Sequence, residues 1–188
     1  LSLQTLNKRT FPDLLQFYLD DCMYNDRTIE KHLKVMRGFL KWTYPEFNRS
    51  FITFKTKKDE TVVHLTETEL FQLINADLNG TLDKVRDLFV FSCLTGMRYS
   101  DLRKFEGSWL NEGVILYNQV KTSGLAVSPL FQNASDILRK HNFTLPRLSN
   151  PKYNLYLKDL FKKLNLNRKI TKVRYQGSQR YENTKPLF

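Results

Sequence analysis

The residues best suited to chemistry in this sequence are an arginine and a lysine 23 positions apart, Arg98 and Lys121. Arg98 follows Thr95-Gly96, where an apolar stretch ends. A glycine turn between two helices projects a side chain from a rigid corner, and a planar guanidinium matches two oxygens of a phosphate group. Lys121 lies between two predicted strands, and its ammonium group is a possible proton donor. Taken alone, each residue also has a plainer interpretation, as an exposed arginine after a helix end and as a solubilising turn lysine.

The elements that must position these two residues can be predicted from local patterns. Residues 83–95 are apolar nearly all round, which is typical of a central helix, and Gly96 can end that helix in a left-handed conformation. Residues 114–120 and 125–130 alternate or are β-branched and predict two strands. Gly124 is expected to supply the unusual dihedral of a tight hairpin between them.

Helical periodicity elsewhere predicts a mainly α chain of two domains. Residues 1–47 hold two short helices, the second capped by Asp26 or Thr28, and the polar and basic residues 48–63 are interpreted as a linker. Residues 64–188 form the second domain, which opens on a Thr66-to-Glu69 capping box. Two further helices are predicted at 134–141 and 152–165, and the pattern fades after Ile170.

The positive charge of the chain is concentrated at one end. The formal net charge is +11, and residues 139–188 hold 13 Lys and Arg against 2 Asp and Glu. A surface so strongly basic favours a polyanionic partner, and nucleic acid is the commonest one in a cell. The alternative is a solvated basic face with no partner.

Three parts of the sequence resemble the tyrosine recombinases, the phage-integrase family. Residues 95–102, Thr-Gly-Met-Arg-Tyr-Ser-Asp-Leu, resemble that family's Thr-Gly-x-Arg-x-Ser-[Asp/Glu]-Leu box. Lys121-Thr122, before a strand that ends in Pro129-Leu130, is similar to the family's catalytic-lysine hairpin. Residues 171–180 are similar to the segment that precedes the His-x-x-Arg box in integrases of the conjugative-transposon type. With the helical hairpin and its junction near Leu65-Thr66, the resemblance covers nearly the whole chain.

The resemblance implies a small helical core-binding domain joined to an incomplete, mostly helical catalytic domain with a short antiparallel β-sheet. Arg98 would clamp the scissile phosphate, Asp101 would orient Arg98, and Lys121 would protonate the leaving 5′ oxygen from the minor groove. The implied substrate is double-stranded DNA, and the reaction needs no metal and no other cofactor. We expect the full-length protein to self-associate on DNA and to act in the cytoplasm. The residues predicted to contact DNA are Lys31, Lys34, Lys41, Lys55, Lys57, Lys58, Arg174 and Arg180.

Part of the family's catalytic set has no match in these residues. The sequence stops at Phe188 without a His-x-x-Arg box, and with it without the second arginine, the following His or Trp and the nucleophilic tyrosine. Tyr175 and Tyr181 precede the position at which that box would begin. We therefore interpret the chain as a truncated recombinase that binds DNA without cutting it. The alternatives are a non-catalytic DNA-binding module, such as an integrase remnant acting as a regulator, and an RNA-binding protein.

Other classes of protein find little support in the sequence. No apolar run approaches the ~20 residues that cross a bilayer. Cys22 and Cys93 have no pairing or metal-ligand spacing and are interpreted as reduced thiols of a cytosolic protein. His32, His64 and His141 stand alone, and no nucleotide-binding or hydrolase motif occurs.

Overall fold

The computed structural model describes residues 5–57 and 62–187, and these form two compact units. The first unit combines the chain up to Val63 with Lys169–Pro186, and the second runs from His64 to Arg168 and resumes at Leu187. The described residues form the mainly α architecture that the sequence predicts, with seven α-helices and two small antiparallel sheets. No helix in this part of the chain is long and apolar enough to span a membrane.

The first unit is built on two helices, α1 (Phe11–Asp20) and α2 (Asp26–Thr43). Pro12 stands in the first turn of α1, where a missing N–H costs nothing. The cap of α2 differs from both predicted candidates, because the Asn25 side chain accepts the N–H of Thr28 at 2.9 Å. Leu33 and its helical neighbours form a core against Phe11 and Ile52.

Residues 48–57, interpreted from the sequence as the start of a linker, pack onto this core. Ile52 is fully buried, and its carbonyl accepts a hydrogen bond from Arg37 at 3.2 Å. The ring of Phe51 meets that of Phe11 edge-on, with the ring centres 5.8 Å apart. Because most residues of this segment are polar, its sequence did not indicate that three apolar residues pack it onto the helices. These are Phe51, Ile52 and Phe54.

A β-hairpin that the sequence did not predict completes the first unit. Strands β4 (Lys169–Gln176) and β5 (Gln179–Pro186) pair antiparallel over their full length. Gly177 and Ser178 form the turn with φ values of 57° and 68°, the two positive φ angles that a two-residue hairpin turn requires.

The second unit surrounds a central helix. α3 (Glu67–Ile74) begins at the predicted capping box, and α4 (Gly80–Thr95) and the short α5 (Tyr99–Leu102) follow. A 3₁₀ turn (Gly107–Trp109) leads to a three-stranded antiparallel sheet, β1 (Leu110–Asn111), β2 (Val114–Asn118) and β3 (Leu125–Pro129), in that order. α6 (Gln132–Lys140) and α7 (Asn150–Lys163) complete the unit.

Helix α4 lies at the centre of the second core, as its sequence predicts. Val85, Leu88 and Phe91 are at most 1% exposed, and α4 contacts α3, α6 and α7. The chain leaves this unit at Arg168 and re-enters it at Leu187, whose N–H donates to the Arg168 carbonyl at 3.0 Å. The hairpin of β4 and β5 lies between these two points.

Candidate functional site

The corner after α4 fixes the backbone that carries Arg98. Gly96 adopts φ 68°, the left-handed conformation that ends a helix, and its N–H donates to the Ser92 carbonyl at 2.9 Å. Met97 is buried, whereas Arg98 is exposed and forms the N-cap of α5. The Arg98 carbonyl accepts the N–H groups of Asp101 and Leu102 at 2.9 and 3.0 Å. The side chain of Arg98 is therefore exposed on a backbone that is held on both sides.

Three side-chain hydroxyls hold this corner in place. The Ser92 hydroxyl donates to the Met97 carbonyl at 2.9 Å, and the Thr95 hydroxyl donates to the Phe91 carbonyl at 2.7 Å. Ser128, on β3, donates to the Thr95 carbonyl at 2.7 Å. Because Ser128 is buried and belongs to the sheet, its bond joins the end of α4 to the Lys121 hairpin. Rigid placement of this kind favours binding of an anion at little entropic cost.

The side chain of Asp101 is hydrogen-bonded to the hairpin rather than to the side chain of Arg98. Its side chain is fully buried, and Oδ1 accepts the N–H of Val120 at 2.9 Å. The expectation that Asp101 orients Arg98 finds no ion pair to support it in residues 5–57 and 62–187. Among those residues, Asp101 Oδ2 is a buried polar atom without a hydrogen-bond partner. Asp101 thus holds the residue that immediately precedes Lys121.

The charges of Arg98 and Asp101 both affect the pKa of the Tyr117 phenol. Tyr117 lies on β2, buried and stacked on Trp109 with ring centres 5.3 Å apart. Burial raises the pKa of the Tyr117 phenol, and the negative charge of Asp101 raises it further. The positive charge of Arg98 acts in the opposite direction. Arg98, Asp101 and β2 therefore share one corner of the second unit.

Lys121 lies in the loop between β2 and β3, as predicted, and is exposed. The loop closes through Gln119, whose carbonyl accepts the N–H of Ser123 at 2.8 Å. The prediction that Gly124 takes the unusual dihedral is wrong, because Ser123 adopts the positive φ of 54°. No carboxylate of the described residues forms an ion pair with Lys121, so its ammonium is free to meet a phosphate.

The residues predicted to contact DNA lie in the first unit, apart from Lys58, which falls outside the described residues. Exposed positions of α2 carry Lys31, Lys34 and Lys41, and the segment after α2 carries Lys55 and Lys57. Arg174 lies on β4, and Arg180 on β5 is ion-paired with Glu182. The structure brings Lys57 and Arg174 to one cleft together with Arg27 and Lys172, which the sequence analysis had not singled out.

Helix α4 also carries a buried network of ion pairs centred on Asp87. The Asp87 carboxylate lies 2.6 Å from Arg86 Nε, 2.7 Å from Lys140 Nζ and 2.8 Å from His141 Nε2. His141, which stands alone in the sequence, is thus partly buried and contacts Asp87. Burial opposes ionisation of Asp87, but hydrogen bonds from Lys140, His141 and Arg86 outweigh it and lower the pKa of Asp87.

Arg86 extends the same network to the end of α3. Its guanidinium donates to the carbonyls of Leu73, Ile74 and Ala76 at 3.2, 3.2 and 2.7 Å. Leu73 and Ile74 are the last residues of α3, whose final carbonyls lack partners within the helix, and Ala76 lies just beyond it. The network thereby joins α3, α4 and α6. No group of three or more His, Cys, Asp or Glu placed to hold a metal occurs in the described parts of the chain.

Comparison with known proteins gives matches among solved structures. A lambda integrase tetramer bound to a Holliday junction matches with a TM-score of 0.63 and 17% identity, over 88% of this chain and 53% of that one. A lambda integrase dimer bound to a COC′ core site matches with a TM-score of 0.62 and 18% identity, over 88% of this chain and 65% of that one.

No protein-family model and no curated protein matches the chain. The chain spans between about half and two thirds of the length of the solved structures that it matches. Over 88% of its residues, the chain has the fold of lambda integrase.

Proposed function

We propose that this chain is the DNA-binding portion of a tyrosine recombinase of the conjugative-transposon type, carrying two of that enzyme's catalytic residues. The observation that supports it best is the hydrogen bond from Val120 to Asp101, which joins the Arg98 corner to the Lys121 hairpin. An ordinary surface arginine and an ordinary turn lysine have no reason to be coupled through a buried carboxylate. The lambda integrase fold and a net charge of +11 agree with double-stranded DNA as the partner.

In the full-length enzyme, the oxygen of a tyrosine that has lost its phenol proton attacks the scissile phosphorus, and the bond from phosphorus to the 5′ oxygen breaks. Arg98 binds the non-bridging oxygens, where negative charge builds up in the transition state. Lys121 transfers a proton from Nζ to the departing 5′ oxygen. Asp101 acts as a positioning residue, because it holds the backbone beside Lys121. The resulting phosphotyrosine bond conserves the energy of the broken phosphodiester, so the strand can be rejoined.

Residues 1–188 contain no His-x-x-Arg sequence, and we propose that by themselves they bind DNA without cutting it. The same observation favours a second candidate, a non-catalytic DNA-binding regulator related to integrases. The gene sequence downstream of Phe188 separates the two. A His-x-x-Arg box followed by a tyrosine supports the enzyme, and a stop codon supports the regulator. Lambda integrase is a dimer or tetramer on its DNA, and we propose that the full-length cytoplasmic enzyme also assembles on DNA.

The test of DNA binding is a titration of the 188-residue chain with labelled duplex DNA and with duplex RNA of the same sequence. Cations that neutralise several phosphates release counterions, so log affinity should fall steeply and linearly with log salt concentration. We expect duplex DNA to be preferred. Affinity that stays flat between low and moderate salt, or a preference for RNA, would overturn the proposal.

A further inference from the structure

The first unit contains a cleft of about 530 Å³ whose walls are the first turn of α2, residues 56 and 57, and β4. Four cationic side chains line it: Arg27, Lys57, Lys172 and Arg174. Lys172 is partly buried in the wall, and the other three are exposed. None of the four forms an ion pair with a carboxylate of residues 5–57 or 62–187. Cations gathered in one cleft repel one another, which costs free energy unless an anion enters.

The two carboxylates that line the cleft are already engaged. Asp26 is 1% exposed, and its oxygens accept the N–H groups of Gly177 and Ser178 at 2.7 and 3.2 Å. Glu30 accepts the hydroxyl of Thr56 at 3.4 Å. Both carboxylates are therefore hydrogen-bonded to groups in the walls of the cleft. With four cations against two carboxylates, the cleft has a net positive charge.

The wall formed by β4 is held in place at the hairpin turn. Besides the two hydrogen bonds to Asp26, the side-chain amide of Gln176 donates to the Leu19 carbonyl at 3.0 Å. The ammonium of Lys57 lies 5.7 Å from the ring centre of Tyr175, within range of a cation–π interaction. The cleft is thus preformed, and an anion that binds in it does not have to order the hairpin first.

We propose that this cleft binds phosphate groups of the DNA backbone, in addition to the contact made at Arg98. The proposal rests on the DNA-binding function proposed above. Guanidinium and ammonium groups together suit phosphodiester oxygens, the former by paired hydrogen bonds and the latter as point charges. Because its four cations come from three separate segments of the chain, α2, residue 57 and β4, the cleft suits successive phosphates of a polymer better than one small anion.

The test compares two double variants that remove the same charge from the same unit. Lys172→Gln with Arg174→Gln removes two cations from the cleft, and Lys8→Gln with Arg9→Gln removes two exposed cations that do not line it. Fluorescence anisotropy with a labelled duplex should show about tenfold weaker binding for the cleft variant, with a salt slope smaller by about 2. The control should change binding by no more than about twofold. Equal losses in the two variants would overturn the proposal.

A second pair of changes guards against misfolding of the hairpin. Arg27→Gln with Lys57→Gln removes the two cations of the cleft that lie outside the hairpin, and circular dichroism verifies the fold of each variant. We expect the same loss of duplex affinity from this pair, and normal affinity would overturn the proposal.

Calorimetry with inorganic phosphate tests for a small anion as the ligand. Tight phosphate binding that the cleft changes abolish, with duplex affinity intact, would reassign the cleft. A wild-type chain that binds no duplex at all would instead refute the proposed function itself.

Discussion

The buried carboxylate of Asp101 accepts a hydrogen bond at 2.9 Å from the backbone N–H of Val120, a residue 19 positions further along the chain. Asp101 belongs to α5, which Arg98 caps, and Val120 immediately precedes Lys121. One hydrogen bond therefore connects the two elements that carry the proposed catalytic side chains.

Replacing Asp101 by alanine should loosen the Lys121 hairpin. The N–H of Val120 would lose its acceptor, at a cost of roughly 1–3 kcal/mol of unfolding free energy. Hydrogen exchange should show faster exchange of the Val120 amide, and denaturant unfolding should show the lost stability. Asp101→Asn retains a carbonyl acceptor and should restore most of the protection. Unchanged exchange at Val120 in Asp101→Ala would contradict the positioning role.

In the full-length protein, Arg98→Ala should abolish the covalent protein–DNA adduct on a nicked substrate while leaving duplex binding largely intact. One phosphate contact among many contributes little ground-state affinity, but its loss removes transition-state charge stabilisation. The matched control is Arg103→Ala, an exposed arginine just after α5. Denaturing gel electrophoresis measures the adduct. Normal adduct formation by Arg98→Ala would leave only the DNA-binding part of the proposal.

Lys121→Ala should slow strand cleavage when the leaving group is an ordinary 5′ oxygen. A 5′-bridging sulfur leaves without protonation, so a substrate with that substitution should recover most of the rate. Single-turnover cleavage of both substrates by the full-length protein measures the effect. If both substrates are slowed to the same extent, Lys121 is not the proton donor.

Asp87→Asn should destabilise the second unit at neutral pH by roughly 1–3 kcal/mol, because Arg86, Lys140 and His141 lose a charged acceptor, although Asp83 still pairs with Arg86 and Lys140. The pKa of Asp87 in the folded state is lowered from the ordinary 3.8. Its contribution is therefore fully present above that value and is lost as the pH falls through the lower folded pKa. Urea unfolding of both proteins between pH 7 and pH 3 should show a constant difference that shrinks only below about pH 4. A difference that grows in acid would refute this account.

Asp26→Asn separates the shape of the cleft from its charge. The substitution makes the chain more positive by one, which by charge alone should strengthen DNA binding. An asparagine amide also places an N–H₂ against the N–H of Gly177 or Ser178, so the hairpin turn loses an acceptor. We expect several-fold weaker duplex binding. Asp21→Asn, with the same charge change at an exposed site away from the cleft, should bind as tightly as the wild type or tighter.

The features predicted correctly depend on residues close together in the chain. The capping box at Thr66 and the left-handed end of α4 at Gly96 are set within four residues, and both were found where predicted. The partner of Asp101 could not be found in the same way, because the choice between Arg98 and Val120 depends on how the sheet packs on α5. The cap of α2 lies one residue before Asp26 and three before Thr28, the two predicted candidates, since Asn25, Asp26 and Thr28 are all suitable capping types.

The hairpin of β4 and β5 escaped prediction because every residue of β5 is exposed. A strand without a buried face lacks the alternation from which strands are predicted. The available signal was Gly177-Ser178, a pair suited to positive φ, between two eight-residue stretches. The cleft residues Arg27 and Lys172 were missed for the same reason. One wall of the cleft is β4, and that strand was not predicted.

The hydrogen bond from the Leu187 N–H to the Arg168 carbonyl closes the base of that hairpin. The two ends of the segment therefore meet, and Lys169–Pro186 is an insertion in the path of the second unit that belongs to the first unit. Insertions of this kind can change in length or sequence while the residues on either side stay in register. The hairpin can thus change in length at its strands without separating Arg168 from Leu187.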